Sequence, residues 1–179
     1  MRALKVYLLF TFLFFFPLLN GMQPKIHFFD DDSKLIYQVN AQAGKRLKKL
    51  YSLEPIGTGF SCPDDLILTM DLSLTYYGDY DIPKARRLIL QAARTYLETI
   101  NGSKKLKPFL VEHPFGPKNI YFTIDFAYPG KYDVEIGKLV WVSVIKGHLS
   151  YGIRKTEYTH ETIHKEMFEE AERIVENEK

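Results

Sequence analysis

Apolar and polar residues alternate most regularly over residues 66–77, where Leu66, Leu68, Met70, Leu72, Leu74 and Tyr76 fall on one side and Ile67, Thr69, Asp71, Ser73, Thr75 and Tyr77 on the other. A period of two with one apolar side predicts a strand with its second side turned to a polar environment. Ile120, Phe122, Ile124 and Phe126 repeat the pattern against Tyr121, Thr123 and Asp125. A third run, residues 139–145, sets Val140, Val142 and Val144 inward and Leu139, Trp141 and Ser143 outward, or the reverse. Lys146 and Gly147 then suit a two-residue hairpin turn into residues 148–155, where Leu149, Tyr151 and Ile153 alternate.

Between the first two strands the period changes. Ala85, Leu88, Ile89, Ala92, Ala93, Tyr96, Leu97 and Ile100 recur at threes and fours, after Pro83 and before Gly102. That spacing predicts an amphipathic helix laid on the sheet, and a right-handed crossover if the two strands are parallel neighbours. Asp31, Asp32 and Ser33 open an earlier helix with Ile36, Val39, Ala43, Leu47 and Leu50 on its apolar stripe. Lys45, Arg46, Lys48 and Lys49 suit the negative end of its dipole and read as a solvated helix end. A closing helix is predicted over residues 158–176, with Ile163, Met167, Ala171, Ile174 and Val175 as its stripe. Residues 53–65, 103–118 and 128–137 are rich in Pro and Gly and read as connections. The order of elements predicts an α+β fold, a two-layer sandwich with an about four-stranded, mostly antiparallel sheet and helices on one face.

The amino terminus changes the picture of compartment. Arg2 and Lys5 precede an apolar run from Val6 to Leu19, the layout of a secretory signal peptide over residues 1–21. The run falls short of the roughly 20 residues that span a bilayer, so the expectation is a cleaved signal, no transmembrane segment after its removal, and a single α+β domain over residues 22–179. The protein is thus expected in the periplasm or secreted. Setting Arg2 and Lys5 aside leaves 22 basic residues against 22 acidic ones. A formally neutral domain argues against nucleic acid as a partner. Cys62, the only cysteine, lies between Ser61 and Pro63 with no His or Lys beside it, and reads as structural.

Three groups of residues carry candidate chemistry. His160-Glu161-Thr162-Ile163-His164 spells a zinc-hydrolase pattern, in which two histidines one helical turn apart hold zinc and the glutamate acts as general base. The pattern lacks its downstream ligand, because Met167 and Glu170 stand where Gly and a third His are needed, although His113 or His148 could supply one through the fold. The second group is the polar side of the strands: Asp71, Tyr121, Thr123 and Asp125, with Trp141 on the same side. Polar residues interleaved with large aromatics suit a recognition surface, and Asp71 with Asp125 could form an acid/base pair if register brings them together. The third is the rigid segment 108–119, where Phe109, His113, Phe115 and Asn119 either line a cleft or plug the end of the core. Gly57 and Gly59 precede a strand and do not link a strand to a helix, which excludes a nucleotide cradle.

Residues 57–66 (GTGFSCPDDL), 85–89 (ARRLI), Ile100-Asn101 and above all 107–120 (KPFLVEHPFGPKNI) resemble a family of small exported proteins from chlamydia-like bacteria. The resemblance covers roughly residues 55–171. It implies export and a single domain, and it assigns neither an activity nor a site. The expectation is therefore a non-enzymatic domain without a cofactor that binds a protein or envelope component. A zinc-dependent metallohydrolase using Glu161 with His160 and His164 is the alternative.

Overall fold

The computed structural model describes residues 30–130 and 134–178. The signal peptide expected over residues 1–21 lies outside them. The elements run α1 (Asp30–Tyr51), β1 (Glu54–Ser61), β2 (Thr69–Tyr77), α2 (Ile82–Asn101), β3 (Ile120–Ala127), β4 (Leu139–Ile145), β5 (His148–Arg154), β6 (His160–Met167) and α3 (Phe168–Asn177). None of the described helices is long and apolar enough to cross a membrane.

The fold is α+β, and the strands form one six-stranded sheet in sequence order, β1 to β6. Only β2 and β3 are parallel, and every other neighbouring pair is antiparallel. That exception follows from connectivity. Antiparallel neighbours need only a tight turn, whereas parallel ones need a long crossover, and α2 is that crossover. Asp81 caps α2, accepting a hydrogen bond from the Lys84 amide at 2.8 Å. From there α2 buries Leu88, Ile89, Ala92, Ala93, Tyr96 and Ile100 against the alternate residues Met70, Leu72, Leu74, Ile120, Phe122 and Ile124 of the central strands. Tyr96 stacks on Phe122, with ring centroids 5.3 Å apart.

Two strands were hidden by their composition. Glu54–Ser61, within the connection expected over residues 53–65, forms the edge strand β1, because Pro55, Gly57 and Gly59 are tolerated where one strand side has no partner. The helix α1 then packs on β1 so closely that a Cβ on Gly44 would lie 2.7 Å from the Pro55 ring. Asn40 of α1 seals this corner: its amide donates to Thr58 Oγ1 and to the Asp71 carbonyl, and its carbonyl accepts from the Tyr96 hydroxyl at 2.7 Å. The second hidden strand is β6. The helix expected from residue 158 starts only at Phe168, and His160–Met167 instead pairs along β5. Exposed charges such as Glu161 and Lys165 suit a sheet edge, where they discourage pairing with other chains. The sheet thus has six strands where about four were expected.

Register also shifts twice within predicted strands. Leu66 and Leu68, expected inside, are exposed, while Ile67 is fully buried and bridges to Leu110. The cause is the tight turn at Pro63–Asp65, where Asp64 and Asp65 take positive φ, so regular alternation begins only at Thr69. In β4 an irregularity between Leu139 and Trp141 sends Leu139 into the core and leaves Val140 half-buried, the reverse of the first reading.

Arginines of α2 bind the carboxy-terminal elements. Arg87 meets Glu178 at 2.7 Å and Arg94 meets Glu172 at 2.6 Å, both near the surface. The buried pair is Arg86 with Glu166 at 2.8 Å, and the Tyr151 hydroxyl donates to the same Glu166 oxygen at 2.5 Å. Burial alone would raise the Glu166 carboxyl, but hydrogen bonds from Arg86 and Tyr151 outweigh it and hold the group below its ordinary value. A carboxyl depressed in the folded state stabilises the fold above its unfolded value, and that stabilisation is lost as pH falls through the folded one.

Removing one partner strands the other charge in the interior. Glu166→Ala is therefore expected to destabilise the fold by about 3–5 kcal/mol in urea denaturation, while replacing the whole network, Arg86→Met and Glu166→Leu with Tyr151→Phe, is expected to fall close to wild type.

Candidate functional site on the polar face of the sheet

Strand alternation puts the side chains that do not join the core on a second face, and register places them in rows. One row reads Gly59, Asp71, Tyr121, Ile145 and His148 from β1 to β5. The next reads Gly57, Ser73, Thr123, Ser143 and Ser150. A third reads Thr75, Asp125, Trp141, Gly152 and Thr162 from β2 to β6. Asp71, Tyr121, Thr123, Asp125 and Trp141 therefore share one face, with Tyr121 beside Asp71 and Trp141 beside Asp125.

The two aspartates do not work together. Asp71 pairs with Tyr121, four residues before Asp125, which sets the two carboxylates about 14 Å apart by strand geometry. That is beyond the separation at which paired carboxylates act on one bond. Asp71 instead lies over Gly59, accepts from Thr69 Oγ1 at 3.4 Å, and is raised by burial.

The zinc-like stretch lies on β6, not on a helix, and this removes the one-turn spacing on which its reading rested. An irregularity in the β5–β6 register opposite Tyr151 and Gly152 then turns its two histidines apart. His164 pairs with the buried Tyr151, lies 5.4 Å from its ring, and brings Nε2 to 3.5 Å from Glu166 Oε2. His160 pairs with Arg154 and reaches the polar face. Standing on opposite faces, the two rings do not converge on one ion, and Glu161 turns to Lys155 at 3.0 Å. Among the described residues no three His, Cys, Asp or Glu side chains gather as a metal site.

Segment 108–119 closes one end of the molecule. Phe115 and Asn119 are buried, Asn101 clamps the Phe115 backbone with bonds of 2.7 and 2.9 Å, and Asn119 accepts from the Gly116 amide and donates to Glu112. His113 and Phe109 stay nearer the surface.

The polar face is not flat. Thr75, Asp125, Val134, Val140, Trp141 and His160 line a cavity of about 430 Å³, within the range of small-molecule sites. Gly152 makes room for it. A Cβ there would lie 2.1–2.5 Å from the Nε1, Cε2 and Cζ2 atoms of Trp141, so the indole occupies the space that any side chain at 152 would take. Burial pushes the Asp125 carboxyl up from its ordinary value, partly offset by His160 nearby. Asp125 and Trp141 were legible in the alternation of their strands. Gly152 was not singled out, although a glycine inside a strand signals a close approach. His160 was placed on a helix, as a metal ligand only in the alternative reading, and Val134 and Val140 were unreadable because a loop and a register shift place them.

Compared with known protein families, curated proteins and solved structures, the chain matches none.

Two outcomes follow from this geometry. Gly152→Ala is expected to displace the indole and cost about 1–3 kcal/mol, read by denaturation and by a changed emission of Trp141, the only tryptophan in the chain. A carboxyl raised in the folded state leaves the fold most stable below its unfolded value near 3.8, with stability lost as pH rises through the folded value. Asp125→Asn is therefore expected to gain about 1 kcal/mol at pH 7, and the two proteins should converge in denaturation at acid pH.

Proposed function

We propose that this chain is an exported, non-enzymatic binding domain, built as two layers with its helices on one side, that engages a protein or envelope component through the polar face of the sheet. The observation that carries this reading is the cavity at Asp125, Trp141 and His160, set into a face whose neighbouring rows present Tyr121, Thr123 and Asp71. Such a face gives aromatic contact area and polar handles on a rigid scaffold, and strands hold their side chains in place better than a loop does. Export rests on the apolar leader that follows Arg2 and Lys5. The separation of His160 from His164 supports binding over zinc-dependent hydrolysis.

The test is retention of the purified domain on envelope fractions. Tyr121→Ala with Trp141→Ala is expected to lower retention at least tenfold, while a substitution on the opposite edge of the molecule, Lys49→Ala, leaves it unchanged. Equal retention by the double variant, with its fold intact by circular dichroism, would show that this face is not the binding surface.

A further inference from the structure

The charge balance of the cavity narrows what it can hold. Among the described residues that line it, Asp125 is the one acidic side chain, and none is a lysine or arginine. Among the described residues no hydrogen bond or ion pair reaches the Asp125 carboxylate, and His160 is the one charge that acts on it. Arg154, the strand partner of His160, gives its guanidinium to the carbonyl oxygens of Val134, Thr156 and Glu157, at 2.8, 3.2 and 3.0 Å. Among the described residues an anionic ligand would find no lysine or arginine in this site, only His160, and a carboxylate against it.

The remaining walls favour a positive charge. Trp141 stands beside Asp125 across the β3–β4 pair, and indole is the strongest of the aromatic partners for a cation. Val134 and Val140 add apolar surface that suits alkyl carbons, while Thr75 offers one further hydroxyl. A half-buried carboxylate that lacks a donor, an indole next to it, and an apolar wall together complement an alkyl ammonium group. A neutral polyol would satisfy the hydroxyl and carboxylate but leave the negative charge uncompensated.

From this juxtaposition we propose that the cavity between Asp125, Trp141 and His160 is a binding site for an organic ammonium group, such as a primary amine or a quaternary alkylammonium. The inference rests on the polar face being the binding surface, and names the chemical class that its cavity accepts. Asp125 is the counter-ion and Trp141 the cation–π partner. A ligand bearing such a group, either free or carried at the end of a larger envelope component or a lysine side chain, presents the same chemistry to the site.

Because Trp141 is the only tryptophan, its fluorescence reports on the cavity directly. The purified protein is titrated with n-butylammonium and with choline, and in parallel with 1-butanol, glucose and acetate at matched ionic strength. The ammonium compounds are expected to change the emission saturably, the neutral and anionic probes are not, and Asp125→Asn should weaken the ammonium response about tenfold or more. Since Asp125→Asn is nearly isosteric, its melting temperature is measured alongside, and Thr75→Val serves as a second variant with a smaller expected loss. A saturable response to glucose with none to ammonium overturns the proposal, as does an ammonium response that Asp125→Asn leaves unchanged. Envelope retention separates the two levels of inference. If retention depends on Tyr121 and Trp141 while ammonium does not bind, the face stands and the ligand class falls; if retention is also indifferent to those residues, both fall.

Discussion

The parallel pairing of β2 with β3 is the constraint on which the rest of this molecule depends. Parallel neighbours cannot be joined by a tight turn, so the chain must leave the sheet and return, and α2 is the element that does so. Having crossed, α2 is buried on more than one side. It meets the apolar residues of the central strands, packs beside α1, and sends Arg86, Arg87 and Arg94 toward the carboxy-terminal segment. Sheet growth on either side then proceeds by antiparallel pairing, and the outermost strands are held by what α1 and α2 already fix in place.

The two edges are held by different chemistry. At the β1 edge a buried asparagine of α1 answers to two strands and a second helix at once, because Asn40 bonds Thr58, the Asp71 backbone and Tyr96. At the β6 edge the attachment is ionic, with Glu166 receiving both Arg86 and Tyr151. Buried polar groups of this kind contribute little net energy when satisfied and cost much when broken, so they act to select one arrangement of the edge strands over others.

The polar face gains its relief from small departures in register. Without the irregularity between Leu139 and Trp141, Val140 would point to the core, and without that between Tyr151 and Gly152, His160 and His164 would share a face. Each shift moves every later side chain to the other side of its strand. Together with Gly152, which leaves space for the indole, these shifts turn an even strand surface into a cavity around Asp125.

The amino-acid sequence by itself determined the four inner strands and the helix α2, because burial on one side imprints a local period of two or 3.6 that any window of the chain displays. It likewise determined that Asp71, Tyr121, Thr123 and Asp125 would be the polar members of their strands, while the side taken by Trp141 stayed open until the sheet was formed. Edge strands carry no such imprint. β1 is mostly exposed and interrupted by Pro55, Gly57 and Gly59, and Ile163 and Met167 of β6 run on to Ala171 of α3 at helical spacing. Only the tertiary structure made them strands, since the hydrogen bonds that define an edge come from a neighbour far along the chain and outweigh weak local preference. For the same reason it alone decided that the eye-catching histidines would part, and that one of them would join Asp125 and Trp141.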